Sequence, residues 1–468
     1  MRLTEKNTLV YVMLAALIII LIPFLIRLLF YNNIIIGEES YYHATIAKQI
    51  IEQKSLIHDP NYLFNPYHLV LASIGYFIEV DLASKLIPFL LGMLSVLVFY
   101  LILKDFKIEI RERFFISLIL VISPAFIYLC VISNTHSVPV FLTLLGIYFL
   151  LKKKTIFTVL SLISFAAAVP FGIFNALLVI AILLAYLIKE KSKKTIILLS
   201  IIILISAAFM PVYFQEKTEV IQKESILQST ISDLGALIGI GVFNILLASI
   251  GFILMWRKKK EHIFIFLPLL VMLIGLFYAG YAILYLNFML AVLAGHAFVR
   301  IRNMDWQVKM IKNLTILLII CGLAFSAVSY LNRVSNMQPD NEIIKSLEWL
   351  GHYSNQDEIV FSHYSKGFWI SSVAERPVVT DKMLEYFPNA KERFNDSLEI
   401  FYSRNLKNTR TFLNKYNISY IWIDNEMKQG LVWEKEQQGL LFLFRNNETF
   451  NNIYNNQGIE IWEIRKEV

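Results

Sequence analysis

Long apolar runs separated by short polar segments constrain this chain more than any other feature. Runs of roughly 16 to 22 apolar residues, each about the length of helix that crosses a ~30 Å hydrocarbon core, recur near residues 9–30, 86–103, 114–131, 138–151, 155–169, 173–188, 195–214, 235–256, 262–279, 281–299 and 312–331. Inside hydrocarbon every backbone N–H and C=O must be bonded within the protein, so each run is expected to be helical. The pattern predicts a multi-pass α-helical membrane protein with about eleven transmembrane helices. A hydrophobic content of 57% and a mean hydropathy of +0.59 exclude a soluble globular chain. The first run is too long for a signal-peptide core and has no small-residue cleavage site behind it, so it is expected to remain as a helix.

Two segments need argument. Residues 155–188 are flanked by lysines at both ends, which demands an even number of crossings, and one helix of that length would overshoot the core. A break is therefore expected at Pro170-Phe171-Gly172. The run Tyr67 to Val80 is too short to cross, and counting it would place every later basic segment on the wrong side. It reads as a re-entrant or interfacial helix.

With Met1 inside, twenty-one basic residues fall on the cytoplasmic side: Arg2, Lys6, Lys104, Lys107, Arg111, Arg113, Lys152–Lys154, Lys189, Lys191, Lys193, Lys194, Arg257, Lys258–Lys260, Arg300, Arg302, Lys309 and Lys312. Five, Lys48, Lys54, Lys85, Lys217 and Lys223, fall on the outer loops. This asymmetry sets the orientation. The formal charge of +7 follows from these clusters and implies no nucleic-acid partner. Cys130 and Cys321 both lie in apolar runs, so neither a disulfide framework nor a zinc site is expected. Arg27, near the outer end of the first run, reads as a snorkelling side chain.

Two units follow: a transmembrane unit over 1–331, with a first outer loop at 31–85, and an extracytoplasmic α/β domain over 332–468. In the latter, 358–362, 377–380, 418–423, 440–444 and 458–464 have strand-like patterns. Residues 341–353 and 405–416 read as helices, the first capped by Asp340.

The first outer loop carries the densest group of titratable residues in the membrane half: Glu38, Glu39, His43, His58 and Asp59. Carboxylates at a membrane surface usually serve ions, protons or substrates. On a helix starting there, Glu39 and His43 at i and i+4 share a face, while the adjacent Glu38 and Glu39 point apart. Each residue also has an ordinary reading: solvated glutamates, a packing histidine at 43, a turn at Asp59-Pro60.

The string Gly37-Glu-Glu-Ser-Tyr-Tyr-His43, followed by His58-Asp59-Pro60 and a Pro66-Tyr67 start to an apolar segment, resembles the first outer loop of GT-C membrane glycosyltransferases, nearest in flavour to the oligosaccharyltransferase catalytic subunit. The likeness continues through Leu86-Ile-Pro88, Leu91-Gly92, Ser123-Pro124 and the outer loop with Glu224 before Leu234-Gly235. It implies an enzyme that takes a sugar from a polyprenyl- or dolichyl-phosphate donor at the outer face of a cell membrane and gives it to a glycan, lipid or protein acceptor. By the same resemblance Glu39, with Glu38 beside it, is the catalytic carboxylate. Tyr42, His43, Asp59 and Glu224 are substrate-binding candidates. A divalent metal, magnesium or manganese, is implied, with Glu39, Asn134 and His136 as its candidate ligands.

The departures are specific. The family's second acidic motif falls on Asn134-Thr135-His136, and the Trp-Trp-Asp-Tyr-Gly acceptor motif on Ser362-His-Tyr-Ser-Lys-Gly367. The arginine used against the donor phosphate has no counterpart in Tyr285-Leu-Asn-Phe288, and eleven spans stand where thirteen are usual. The expectation is superfamily membership without oligosaccharide transfer to sequons. The alternatives are a catalytically inactive glycan- or lipid-binding relative and a transporter or flippase.

Overall fold

The computed structural model describes residues 4–31, 35–53, 65–152, 154–213, 226–257, 263–386, 389–435 and 437–465. The apolar runs are helices, as the bilayer argument requires. In chain order they are α1 (Glu5–Phe30), α2 (Glu38–Gln53), α3 (Pro66–Ile78), α4 (Val80–Asp105), α5 (Ile110–Val121), α6 (Pro124–Val131), α7 (Ser137–Leu151), α8 (Thr155–Ala168), α9 (Ile173–Glu190) and α10 (Lys193–Ala208). After two short helices come α11 (Val242–Trp256), α12 (Ile263–Gly275), α13 (Ala282–Asn303) and α14 (Lys309–Ser335).

Among the described residues α1, α4, α9, α13 and α14 are long and apolar enough to cross a membrane, which makes five. The pair α5 and α6, bent by 64°, is a sixth if it forms one span. Helices α3, α7, α8, α11 and α12 are apolar but shorter. The predicted break in 155–188 lies where Pro170 and Gly172 require it: a 3-10 turn over Val169–Phe171 ends at Gly172, whose φ of +145° is open to glycine and to few other residues. Helix α3 has 13 residues, a rise of about 20 Å, well short of a ~30 Å core. At Glu79, with φ +74°, the chain turns directly into α4. Gly75 lets this turn close, since a Cβ there would stand 2.7 Å from Cγ2 of Val80.

One buried apolar cluster joins these helices other than α2 and α3, from Val12 on α1 to Val334 on α14. Helices α11 and α13 touch nearly backbone to backbone, because a Cβ at Gly251 would lie 2.0 Å from the Leu293 carbonyl oxygen. Small residues permit such contact where hydrophobic burial alone does not drive helices together.

Beyond α14 the chain forms α15 (Asn341–Tyr353), β1 (Ile359–Phe361), α16 (Ala390–Tyr402), α17 (Leu406–Lys415), β2 (Ile418–Ile423), β3 (Phe450–Asn456) and β4 (Ile459–Ile464). The sheet order is β1-β2-β4-β3, with β1 parallel to β2 and the other pairs antiparallel. The side chain of Asp340 accepts from the backbone of Glu342 and Ile343, the cap expected for α15. Central β2 is buried along its length. Ile421 and Ile423 face one apolar cluster with Phe401 and Trp433, and Tyr420 and Trp422 face another with Leu347 and Trp369.

Two local expectations are corrected, and one strand appears that was not expected. The run 440–444 is not a strand but a helical turn, Leu440–Leu443, that buries Leu440 and Leu443 at i and i+3; so short an apolar run fits either state. Residues 377–380 contribute one bridge, Val360 to Val378. Asn-rich β3 pairs with β4 through the tight turn Gln457-Gly458, both residues at positive φ, the geometry that two-residue hairpins favour. Its polar composition hides it from a search for apolar alternation.

Arg27 is also corrected. It does not snorkel to solvent but is fully buried. Its guanidinium donates to the carbonyls of Met337, Pro339 (2.9 Å) and Ile35 (3.2 Å), tying the end of α1 to the segment that leads into α15.

Candidate active site

Helix α2 lies between the membrane helices and the C-terminal region, and its sequence places different chemistry on its two faces. Gly37, at φ +79°, turns the chain into the first turn, which carries Glu38 and Glu39. Ser40 fixes that turn: its Oγ donates to the Ile36 carbonyl (2.6 Å) and accepts from the Ser133 amide (2.9 Å). The Tyr67 hydroxyl meets Ser133 Oγ at 2.6 Å, so α2, α3 and the turn before α7 share one bonded seam.

Positions 38, 42 and 46 face the C-terminal region. Glu38 forms an ion pair with Lys382, Tyr42 stacks on Phe368 with ring centres 4.6 Å apart, and Ile46 packs beside them with Met383. Positions 39 and 43 face the membrane helices. The Tyr128 hydroxyl of α6 donates to Glu39, and His43 Nδ1 lies 2.8 Å from His68 Nε2 with both rings buried. The i and i+4 relation of Glu39 and His43 therefore gives a shared face, and the adjacent glutamates point at different partners.

Electrostatics follow from burial. The Glu38 carboxyl is pushed up to about 7 because burial disfavours its charge more strongly than Lys382 favours it. Glu39 is raised as well, by burial, with the Tyr128 hydrogen bond and Lys382 pulling the other way. The helix N-terminus favours both anions, by about 0.3–1 kcal/mol each, which is too little to reverse desolvation. Burial holds His43 and His136 below the usual imidazole range, so both are neutral near pH 7.

This makes a pH prediction. With a folded value of about 7 against an ordinary 4.5, Glu38 binds more proton in the folded state than in the unfolded state between those values. Its contribution to stability is therefore full below the ordinary value and is lost as pH rises through the folded one. The apparent melting temperature of wild type relative to Glu38→Gln, followed from about pH 5 to about pH 8, should fall as pH rises. Parallel curves would show that Glu38 titrates normally.

Of the sequence candidates, Glu38, Glu39, Tyr42 and His43 meet on α2, and His136 is close enough to influence His43 electrostatically. Asp59 and Glu224 lie outside the described residues. Of the expected metal-ligand set Glu39, Asn134 and His136, Asn134 is engaged elsewhere. Asn134 Oδ1 accepts the amides of His136 (2.9 Å) and Ser137 (3.0 Å), and its Nδ2 donates to Ile132 (2.6 Å), so the side chain shapes its own loop. His136 stacks on Tyr281 at 4.2 Å. Among the described residues no three His, Cys, Asp or Glu are grouped to hold a metal ion. Asn134, so engaged, does not fit the implied divalent cation.

Sequence reasoning missed Tyr128, His68, Phe368, Lys366 and Lys382. A tyrosine within the apolar run 114–131 and a lysine after the strand-like 377–380 were visible, but nothing local linked them to α2.

No protein-family model matches the chain, and no curated protein sequence matches it. Solved structures do. The oligosaccharyltransferase of Archaeoglobus fulgidus in its apo form superimposes with a TM-score of 0.61 at 14% identity over 89% of this chain and 70% of that one. The same archaeal enzyme, AglB, in complex with an inhibitory peptide and a dolichol-phosphate, gives 0.62 at 12% identity over 97% and 74%. Apo ArnT from Cupriavidus metallidurans gives 0.59 at 9% identity over 97% of both chains. The fold is the GT-C fold of these membrane enzymes.

Proposed function

We propose that this protein is a GT-C glycosyltransferase that takes a sugar from a polyprenyl- or dolichyl-phosphate donor at the outer membrane face and transfers it to a glycan, lipid or protein acceptor. The observation that carries this reading is Glu39, a carboxylate of raised proton affinity at the start of α2 with the Tyr128 hydroxyl on one oxygen, in a fold shared with a structure holding dolichol-phosphate.

In the step we infer, the acceptor heteroatom forms a bond to the anomeric carbon while the bond from that carbon to the phosphate oxygen breaks. The electron pair leaves on the phosphate, and the acceptor's proton passes to Glu39. A base works best when its proton affinity approaches the operating pH, and burial moves Glu39 in that direction. Tyr128 orients the carboxylate by donating to it. His43 and His68, neutral and bonded to each other, buttress α2 against α3.

The test is direct. Purified protein in liposomes is given polyprenyl phosphates bearing a hexose, an aminosugar or a pentose, and release of polyprenyl phosphate is followed with and without a crude membrane acceptor fraction. Acceptor-dependent release from at least one donor is expected. Failure with all three would remove the enzyme reading and leave a binding protein.

A further inference from the structure

We propose that Lys382, supplied by the C-terminal region, is the cation that receives the departing lipid phosphate. The inference rests on the glycosyl-transfer reading above and assigns that site a group outside the family motifs in the sequence.

A sugar linked through a phosphodiester carries one negative charge on that phosphate. When the anomeric carbon to oxygen bond breaks, the electron pair stays on the phosphate and a second charge develops, while the proton lost by the acceptor goes to the carboxylate. A cation close to that oxygen lowers the barrier. Helix α13 supplies none at its start: Tyr285 donates to Asn175 at 2.5 Å, Asn287 donates to Ser123 at 2.6 Å, and both are buried.

Two lysines exert charge on the α2 carboxylates, Lys366 and Lys382. Lys366 is 2% exposed and bound to Asp424 (3.1 Å), Glu426 and Gln338 (3.1 Å), with its ammonium 4.7 Å from the Trp369 ring centre. Two carboxylates already neutralise it. It is a structural cation.

Lys382 differs in each respect. Its side chain is 49% exposed, while its partner Glu38 is 12% exposed. The pair thus has a lysine at the rim and a carboxylate beneath. The second Glu38 oxygen, Oε1, is buried with no hydrogen-bond partner among the described residues, so the pair is incompletely satisfied as it stands. Lys382 also favours the charged form of Glu39. Its root is rigid: Asp381 accepts the Met383 amide at 2.7 Å, and Met383 packs with Tyr42 and Phe368. An arriving phosphate therefore meets an ammonium held at the rim, with Glu38 as the anion it displaces. A charged pair with phosphate is stronger than one with a partly protonated carboxyl.

The experiment measures binding, not turnover. Equilibrium binding of undecaprenyl phosphate and of undecaprenol, which lacks the phosphate, is compared in nanodiscs for wild type, Lys382→Met, Lys382→Arg and Glu38→Gln, each checked for cooperative unfolding. Wild type is expected to prefer the phosphate by about tenfold or more. Lys382→Met should abolish the preference, Lys382→Arg should keep it, and Glu38→Gln should strengthen it by freeing the lysine. A Lys382→Met protein with the full preference overturns the assignment. A wild type with no preference overturns it together with the lipid-phosphate reading. If wild type prefers the phosphate through Lys382 yet transfers no sugar, Lys382 stands as a lipid-phosphate ligand, and its leaving-group role falls with the enzyme reading.

Discussion

Glu39→Gln should lower sugar transfer by about a hundredfold or more, the scale expected when a positioned base is lost. Glutamine keeps the length and shape of the side chain, and its carbonyl oxygen can still accept from the Tyr128 hydroxyl that now bonds Glu39. What it removes is the capacity to take a proton. The fall should therefore appear in kcat with protein level and melting behaviour unchanged, the signature of an interaction made in the transition state. Glu38→Gln is the internal control. That residue points at Lys382 and not at Tyr128, so losing its charge should cost transfer far less. Full transfer by Glu39→Gln would remove Glu39 from the chemistry and assign the proton to another acceptor.

The second large effect concerns sidedness and is all or none. A single cysteine replacing Lys407, an exposed position on α17, should react with a membrane-impermeant maleimide applied to intact cells. Twenty-one basic residues fall on one side of the apolar runs against five on the other, a bias that retains the richer set in the cytoplasm. Background should be low, because Cys130 is buried and Cys321 sits within α14, a helix apolar enough to span. Labelling only after the cells are opened would invert the orientation and place α2 and its carboxylates on the cytoplasmic side, where the proposed donor geometry no longer holds. With Met1 inside, an outward α17 also requires an odd number of crossings, so the same experiment bears on how many of the shorter helices α7, α8, α10, α11 and α12 cross.

What the sequence determined by itself is what local chemistry dictates. Apolar runs in hydrocarbon must close their own backbone hydrogen bonds, so α1, α4, α9, α13 and α14 were legible as helices. Pro170 and Gly172 dictated a break because one lacks a donor and the other opens a conformation closed to side chains. Strand β2 was legible from Ile418 to Ile423, and the cap at Asp340 from its spacing to α15. Glu39 and His43 on one face of α2 followed from helical period alone. Only the tertiary structure decided the rest. Lys382 reaches Glu38, and Phe368 reaches Tyr42, from segments hundreds of residues away along the chain, and no periodicity records such a meeting. Asn134 lost its candidate role because its amide closes its own loop, and Arg27 turned inward because three carbonyls near the entrance to the C-terminal region needed donors. Strand β3, rich in asparagine, became a strand because β4 offered it a ladder. For Lys382, Phe368 and Arg27 a long-range partner outweighed the local preference, since burying a polar group is tolerable only where another segment completes its bonds.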